Sequence, residues 1–364
     1  MPPEQYVQLL SEEIRQTEGC YQKGVLTSIY FGGGTPSLLD PNHIVSIIGT
    51  LANYGFIAGP QTEITIEINP ATITGKKMET YLSGGVNRFS VGAQTFDDRL
   101  LKMVNREHNA EQTRETLRLI QSFKANYSFD LLFALPTQTL PGLQADLEEV
   151  LQFLPNHLSP YCLTVPEGHV LSKNRPLEGT QIEMFEEINK VLGQAGYLRY
   201  EISNFCLPTF ESKHNSLYWD DSPYWGLGLS AHSYSINKNW GLRYWNASSI
   251  GAYHEQIENN RGRLFTEAST NLPAQQCEHL EFHQSVTDFC HISLRQESGI
   301  ELSLFRQKFG AKAVDSIEKQ LFTLEDRGWI VRYDNGRWRL TEEGILLSNQ
   351  VFAALTFLAG EISQ

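Results

Sequence analysis

Three consecutive glycines, Gly32, Gly33 and Gly34, follow a β-rich apolar run and precede Thr35 and Pro36. Glycine carries no side chain, so its N–H group approaches a ligand closely and its φ angle turns positive without a steric penalty. A plain turn between a strand and a helix remains the alternative, although such turns rarely need three glycines. This run of three glycines therefore predicts a ligand-binding turn, which we call the glycine corner.

Four further residues have the chemistry of a polar ligand site. Glu67 and Asp130 interrupt apolar runs, Gln94 closes another, and Arg106 is the nearest cation in the sequence. A carboxylate in a strand buried on both faces costs several kcal/mol unless a partner stabilises it. Taken singly, each residue is equally well explained by a structural hydrogen bond. Residues at successive strand ends meet at one edge of a parallel sheet, so together they predict a binding site.

The elements that position these residues alternate between strands and helices. The predicted strands cover residues 27–31, 63–68, 88–92, 129–132, 161–165 and 199–202, and amphipathic helices cover 112–123, 143–154 and 182–192. This alternation predicts an α/β fold with a parallel sheet and helical crossovers, as an open sheet or a partial barrel.

After residue 205 the sequence changes to loops rich in aromatic residues and glycine, with His214 and His232 among them. Such loops suit a flat hydrophobic ligand such as a porphyrin, or a layer that packs against the sheet. Either histidine is a candidate metal or heme ligand, with a hydrogen-bonded structural histidine as the alternative.

The last segment predicts helices at 280–290, 302–309 and 314–327, a hairpin at 329–340 and a final helix from Thr341. The hairpin carries Asn335 and Gly336 as its turn signal. This order resembles a winged helix and raises a DNA-binding alternative. Residues 277–364 contain 9 Lys and Arg against 13 Asp and Glu. Their net charge is therefore negative, whereas a DNA-binding wing is expected to be positive.

The patterns along the whole chain predict three segments: a barrel at 1–205, a loop region at 206–274 and a mostly helical domain at 275–364.

The composition limits the function classes. The chain of 364 residues has a formal net charge of -13, which argues against a nucleic-acid partner. Five scattered cysteines without a Cys-x-x-Cys pair indicate reduced intracellular thiols, and they provide no metal-cluster site. The N-terminus lacks the features of a signal peptide, and the longest apolar run, 351–359, is too short to span a bilayer. These features predict a cytoplasmic protein.

Over nearly its whole length the sequence resembles the radical S-adenosylmethionine proteins of the oxygen-independent coproporphyrinogen III oxidase family. The resemblance implies a partial (β/α)6 barrel without its first strand, followed by a winged-helix-like domain. It also implies that a set of motif residues contacts S-adenosyl-L-methionine: Gly33, Gly34, Thr35, Glu67, Gln94, Arg106, Asp130 and Thr164.

The run His214-Asn215-x-x-Tyr218-Trp219 is similar to the motif of the HemW-type heme-chaperone branch of that family. This similarity implies that the protein binds heme, with His214 in the heme site, and delivers it to heme-acceptor proteins. Peripheral membrane association would then arise through the acceptors. The alternative is an oxidase that decarboxylates coproporphyrinogen in porphyrin biosynthesis by radical chemistry.

The sequence departs from the family at one point. Members carry a Cys-x-x-x-Cys-x-x-Cys loop that holds a [4Fe-4S] cluster, and this spacing does not occur among the 364 residues. One explanation is a start assigned too late, with the cluster loop encoded upstream; the other is a cluster-free relative. We expect the first, because loss of a strand leaves a neighbouring sheet edge unpaired. By resemblance the protein would be a radical S-adenosylmethionine oxidoreductase, but the cluster-binding cysteines are absent from these 364 residues.

Overall fold

The computed structural model describes residues 1–166, 168–236, 240–266, 276–333 and 336–362. The helices are α1 Pro3–Thr17, α2 Pro41–Asn53, α3 Gly75–Ser83, α4 Asp98–Met103, α5 Ala110–Ser122, α6 Leu140–Gln152, α7 Glu178–Gln194, α8 Lys213–Trp219, α9 Ile250–Asn259, α10 Phe282–Arg295, α11 Leu302–Phe309, α12 Ala311–Asp326, α13 Glu342–Leu346 and α14 Ser348–Ala354. The strands are β1 Gly24–Phe31, β2 Phe56–Ile68, β3 Arg88–Gln94, β4 Asn126–Phe133, β5 His157–Cys162, β6 Leu198–Glu201, β7 Asn204–Cys206, β8 His232–Ser235, β9 Leu242–Trp245, β10 Gln276–His279, β11 Ile300–Glu301, β12 Ile330–Arg332 and β13 Arg337–Leu340.

The chain forms two compact units. The first contains residues 25–52 and 56–214, and the second contains residues 1–24, 53–55 and 215–364.

The first unit is built on a sheet with the strand order β1-β2-β3-β4-β5-β7-β6. Strands β2, β3, β4 and β5 pair in parallel, whereas β7 runs antiparallel to β5. Helices α3, α5 and α6 lie in the connections between the parallel strands. The predicted α/β class and the parallel sheet are therefore confirmed, and the carboxyl ends of these strands share one edge of the sheet.

Alternation along β2 divides its side chains between two faces. Ile64, Ile66 and Ile68 are almost fully buried and belong to the apolar core of the unit. Because side chains on a strand point to opposite faces in turn, Glu63 and Glu67 lie on the other face. The strand thus presents carboxylates on one side while its apolar side stabilises the fold.

The fifth strand begins earlier than predicted. It covers His157–Cys162 instead of residues 161–165, and it pairs with Ser128 to Phe133 of β4. A histidine, a serine and Pro160 give this stretch no strand-like pattern in the sequence. Pairing with the buried strand β4 overrides that weak local preference.

The second unit contains two antiparallel sheets, β10-β9-β8 and β11-β13-β12, and an apolar core formed largely by α10, α11 and α12. Trp338 of β13 is fully buried in that core. The predicted hairpin is present as β12 paired with β13, while its turn residues Asp334 and Asn335 lie outside the described residues. In the described part of the chain, no helix combines the length and apolar character needed to cross a membrane.

Candidate functional site

The glycine corner lies directly after β1. A Cβ atom on Gly32 would approach a ring carbon of Tyr30 to 2.5 Å and Oε1 of Glu67 to 2.7 Å, so a larger residue there would displace the Tyr30 and Glu67 side chains. Gly33 and Gly34 have φ angles of 73° and 55°, which glycine adopts without strain. No heavy atom of the described residues lies within 4 Å of a Cβ built on either glycine. The backbone of the corner is therefore accessible to a ligand.

Glu67 connects this corner to β2. Its Oε2 accepts a hydrogen bond from the N–H of Gly33 at 3.2 Å, and its Oε1 accepts one from the hydroxyl of Tyr30 at 2.8 Å. Burial, followed by the nearby negative charge of Glu67, raises the pKa of Tyr30 above its usual value. The tyrosine therefore remains a neutral donor that orients the carboxylate.

Asn69 joins Thr35 to Arg106. Its Nδ2 donates to Oγ1 of Thr35 at 3.1 Å, and its Oδ1 accepts from Nη1 of Arg106 at 3.4 Å. Asn69 was not among the predicted site residues. The Glu-Ile-Asn-Pro run at 67–70 was the available signal, because Asn69 follows the end of β2 directly.

Asp130 and Arg106 bring opposite charges to the same site. Burial is the main cause that lowers the pKa of Arg106, and the carboxylates of Asp130 and Glu67 oppose the change. Burial raises the pKa of Asp130 to about 6, although the charge of Arg88 opposes the rise. Oγ of Ser90 lies 3.4 Å from both carboxylate oxygens of Asp130.

Gln94 ends β3 with a φ angle of 70°, in the left-handed region that non-glycine residues rarely adopt. The pairing of β3 with β4 changes register between Val91 and Gln94, and the side chain of Gln94 is buried. Strain of this kind costs roughly 1–3 kcal/mol and is concentrated at functional sites. The backbone at Gln94 is therefore consistent with a binding role.

Thr164, another predicted site residue, makes a local hydrogen bond instead. It lies two residues after the end of β5, is exposed, and donates its hydroxyl to the carbonyl oxygen of Cys162 at 3.3 Å. The early end of β5 explains this position, because the prediction had placed Thr164 within the strand.

His214 lies near the start of α8, and its imidazole contacts β1. The ring stacks on Tyr30 with a centroid distance of 4.5 Å and an interplanar angle of 14°. Its Nδ1 lies 3.0 Å from Oγ of Ser28. Burial lowers the pKa of His214 to about 4, although the carboxylate of Glu63 opposes the change. The imidazole is therefore neutral at pH 7, the form that binds a metal.

His232, the second candidate histidine, belongs to β8 in the second unit. It is exposed and stacks on Trp245 of β9 at a centroid distance of 5.4 Å. Such stacking is the arrangement expected if the aromatic loops serve for packing, which was the alternative to ligand binding.

The hydrogen-bond donors and acceptors around the glycine corner match the polar groups of S-adenosylmethionine. That molecule carries a carboxylate, an ammonium group and ribose hydroxyls. A guanidinium such as that of Arg106 pairs with a carboxylate, whereas Glu67 and Asp130 can accept hydrogen bonds from ammonium and hydroxyl groups. The open glycine backbone adds further hydrogen-bonding groups.

A [4Fe-4S] cluster does not fit the cysteines of this chain. The five thiols form no disulfide, and their positions do not reproduce the three-cysteine spacing. Among the described residues, no group of three or more His, Cys, Asp and Glu side chains is placed to hold a metal ion.

Comparison with known proteins identifies the family and the fold of the chain. Residues 2–154 match the family model of the Radical SAM superfamily, and residues 291–347 match that of the HemN C-terminal domain. The solved structure of coproporphyrinogen III oxidase from Escherichia coli superposes with a TM-score of 0.79 at 20% identity, covering 97% of this chain and 83% of that one. At this identity the likeness supports the fold alone.

Several relatives carry the name heme chaperone HemW, and two of them match nearly the whole chain as follows. The Lactococcus lactis protein is 32% identical over 360 residues, covering 96% of this chain and 89% of the relative. The Synechocystis protein is 31% identical over 380 residues, covering 96% and 87%. The chain therefore belongs to the radical SAM, oxygen-independent coproporphyrinogen III oxidase-like family, in its HemW-type branch.

Proposed function

We propose that this protein binds heme through His214 and delivers it to heme-acceptor proteins. The observation that carries the proposal is the neutral imidazole of His214, stacked on Tyr30 and contacted by Ser28. A heme iron takes a neutral imidazole as its axial ligand, and a ring held on two sides loses little further freedom on binding. The similarity to proteins named heme chaperones supports the same assignment.

A titration of the purified protein with hemin tests this function. We expect a Soret shift for the wild type that is lost or strongly altered in His214→Ala. The matched control is His232→Ala, which removes an exposed histidine from the second unit. An unchanged spectrum in His214→Ala would contradict the assignment of the site. Transfer is then measured by mixing the hemin complex with apomyoglobin and following the absorption of the reconstituted acceptor.

The same proposal includes an S-adenosylmethionine site at the glycine corner. Gly33, Gly34 and Thr35 would contact the ligand beside Glu67 and Asp130. Gln94 and Arg106 would complete the site. In radical SAM proteins this cofactor supplies a 5′-deoxyadenosyl group when a reduced cluster cleaves it. Oxidase activity, the alternative function, would require that cluster.

A cytoplasmic location also belongs to the proposal. The five cysteines that form no disulfide support a reducing compartment.

A further inference from the structure

The N-terminus of α8 is held by a residue far away in the sequence. Oε2 of Glu63 accepts a hydrogen bond from the backbone N–H of Lys213 at 3.1 Å, and Oε1 accepts one from the backbone N–H of His214 at 3.0 Å. The hydroxyl of Ser212 donates to the same Oε1 at 3.4 Å. First-turn N–H groups have no partner within their helix. A carboxylate on β2 therefore supplies the acceptors that this helix start needs.

This carboxylate lies in a buried environment. Glu63 is 8% exposed and Ser212 is fully buried. Nε of Arg88, whose side chain is also buried, lies 4.0 Å from Oε2 of Glu63. A buried carboxylate with three hydrogen-bond donors and a nearby cation is held in one orientation.

The backbone and the ring of His214 are therefore held by two neighbouring strands. Glu63 on β2 holds the backbone N–H, while Ser28 and Tyr30 on β1 contact the imidazole. A side chain held at both ends has few alternative rotamers, which is the condition for a pre-organised ligand.

We propose that Glu63 is a positioning residue that orients His214 for heme ligation, a role that rests on the heme-binding function proposed above. Glu63 acts through the helix start and is not itself a heme ligand in this proposal. Glu63 and Glu67 lie on the same face of β2. One strand therefore supports both the glycine corner, through Glu67, and the histidine, through Glu63.

The first test measures the protein without heme. Glu63→Gln keeps the size of the side chain and removes its charge. We expect amide hydrogen exchange at Lys213 and His214 to become about tenfold faster, since a hydrogen bond to a charged acceptor is weakened. The matched control is Glu211→Gln, which removes an exposed carboxylate two residues before Lys213 and leaves Glu63 intact. Unchanged exchange in Glu63→Gln would overturn the proposal.

The second test adds hemin to the same variants. We expect Glu63→Gln to bind hemin about tenfold more weakly and to shift the Soret spectrum towards that of His214→Ala, while Glu211→Gln matches the wild type. Faster exchange with wild-type hemin affinity and spectrum would reduce Glu63 to a structural residue and overturn the proposal. If His214→Ala itself keeps the wild-type spectrum, the proposed heme site fails as well. The two failures can be told apart, because the His214→Ala experiment leaves Glu63 unchanged.

Discussion

The hydroxyl of Tyr30 donates a hydrogen bond to Glu67 at 2.8 Å while the ring of Tyr30 stacks on His214 at 4.5 Å. One side chain thus contacts both the carboxylate of the glycine corner and the histidine of the proposed heme site. The two candidate sites of the first unit are neighbours through this residue.

Tyr30→Phe should separate these two contacts. The substitution keeps the ring that stacks on His214 and removes the donor to Glu67. We expect the free energy of unfolding to fall by about 1.5–3 kcal/mol, the usual contribution of a hydrogen bond to a charged group. Urea denaturation measures the change, with Tyr333→Phe at an exposed position as the control. Equal stability of Tyr30→Phe and the wild type would show that the hydrogen bond contributes nothing.

Arg106→Lys should weaken the binding of S-adenosylmethionine. Lysine keeps the positive charge but loses the planar pair of donors that matches a carboxylate. We expect affinity to fall about tenfold, measured by isothermal titration calorimetry. Arg99→Lys is the control, because Arg99 is exposed and pairs with Asp97 at 2.8 Å. The proposed site would be contradicted if both variants bound the cofactor as tightly as the wild type.

Glu13 should make stability depend on pH. This carboxylate of α1 accepts hydrogen bonds from Gly228, Asn246 and Tyr253 at 2.8, 2.5 and 2.6 Å. Burial raises the pKa of Glu13 from 4.5 to about 7, and these hydrogen bonds oppose the rise. The folded state therefore binds a proton more tightly than the unfolded state.

The stabilising contribution of Glu13 is complete below pH 4.5 and is lost as the pH rises through about 7. We expect the wild type to lose roughly 3 kcal/mol of unfolding free energy over this interval relative to Glu13→Gln. Urea unfolding of both proteins at pH 5 and pH 8 measures the difference. Parallel pH profiles would rule out a raised pKa.

Anaerobic incubation with iron and sulfide should not load this chain of 364 residues with a [4Fe-4S] cluster, because its cysteines lack the required spacing. We expect no electron paramagnetic resonance signal of a reduced cluster and no 5′-deoxyadenosine when S-adenosylmethionine and a reductant are added. Stoichiometric iron and sulfide together with 5′-deoxyadenosine would contradict this expectation.

Local motifs indicated part of the proposed site. The glycines and Glu67 stand out because their residue types are unusual for an apolar strand and its turn. Asn69 and Glu63 were missed. Asn69 contacts Arg106 across 37 positions, and Glu63 contacts His214 across 151. Contacts over such separations depend on the pairing of strands, which no local pattern encodes.

The sequence by itself determined the α/β class, the open glycine corner, the acidic charge and the lack of a three-cysteine cluster motif, since these depend on residue type and short-range order. Only the tertiary structure decided that Thr164 makes a local hydrogen bond and that His214 stacks on Tyr30. The physical reason is that strand ends and strand register follow from the packing of the whole sheet. Here that packing sets the early end of β5 and the position of His214 beside β1 and β2.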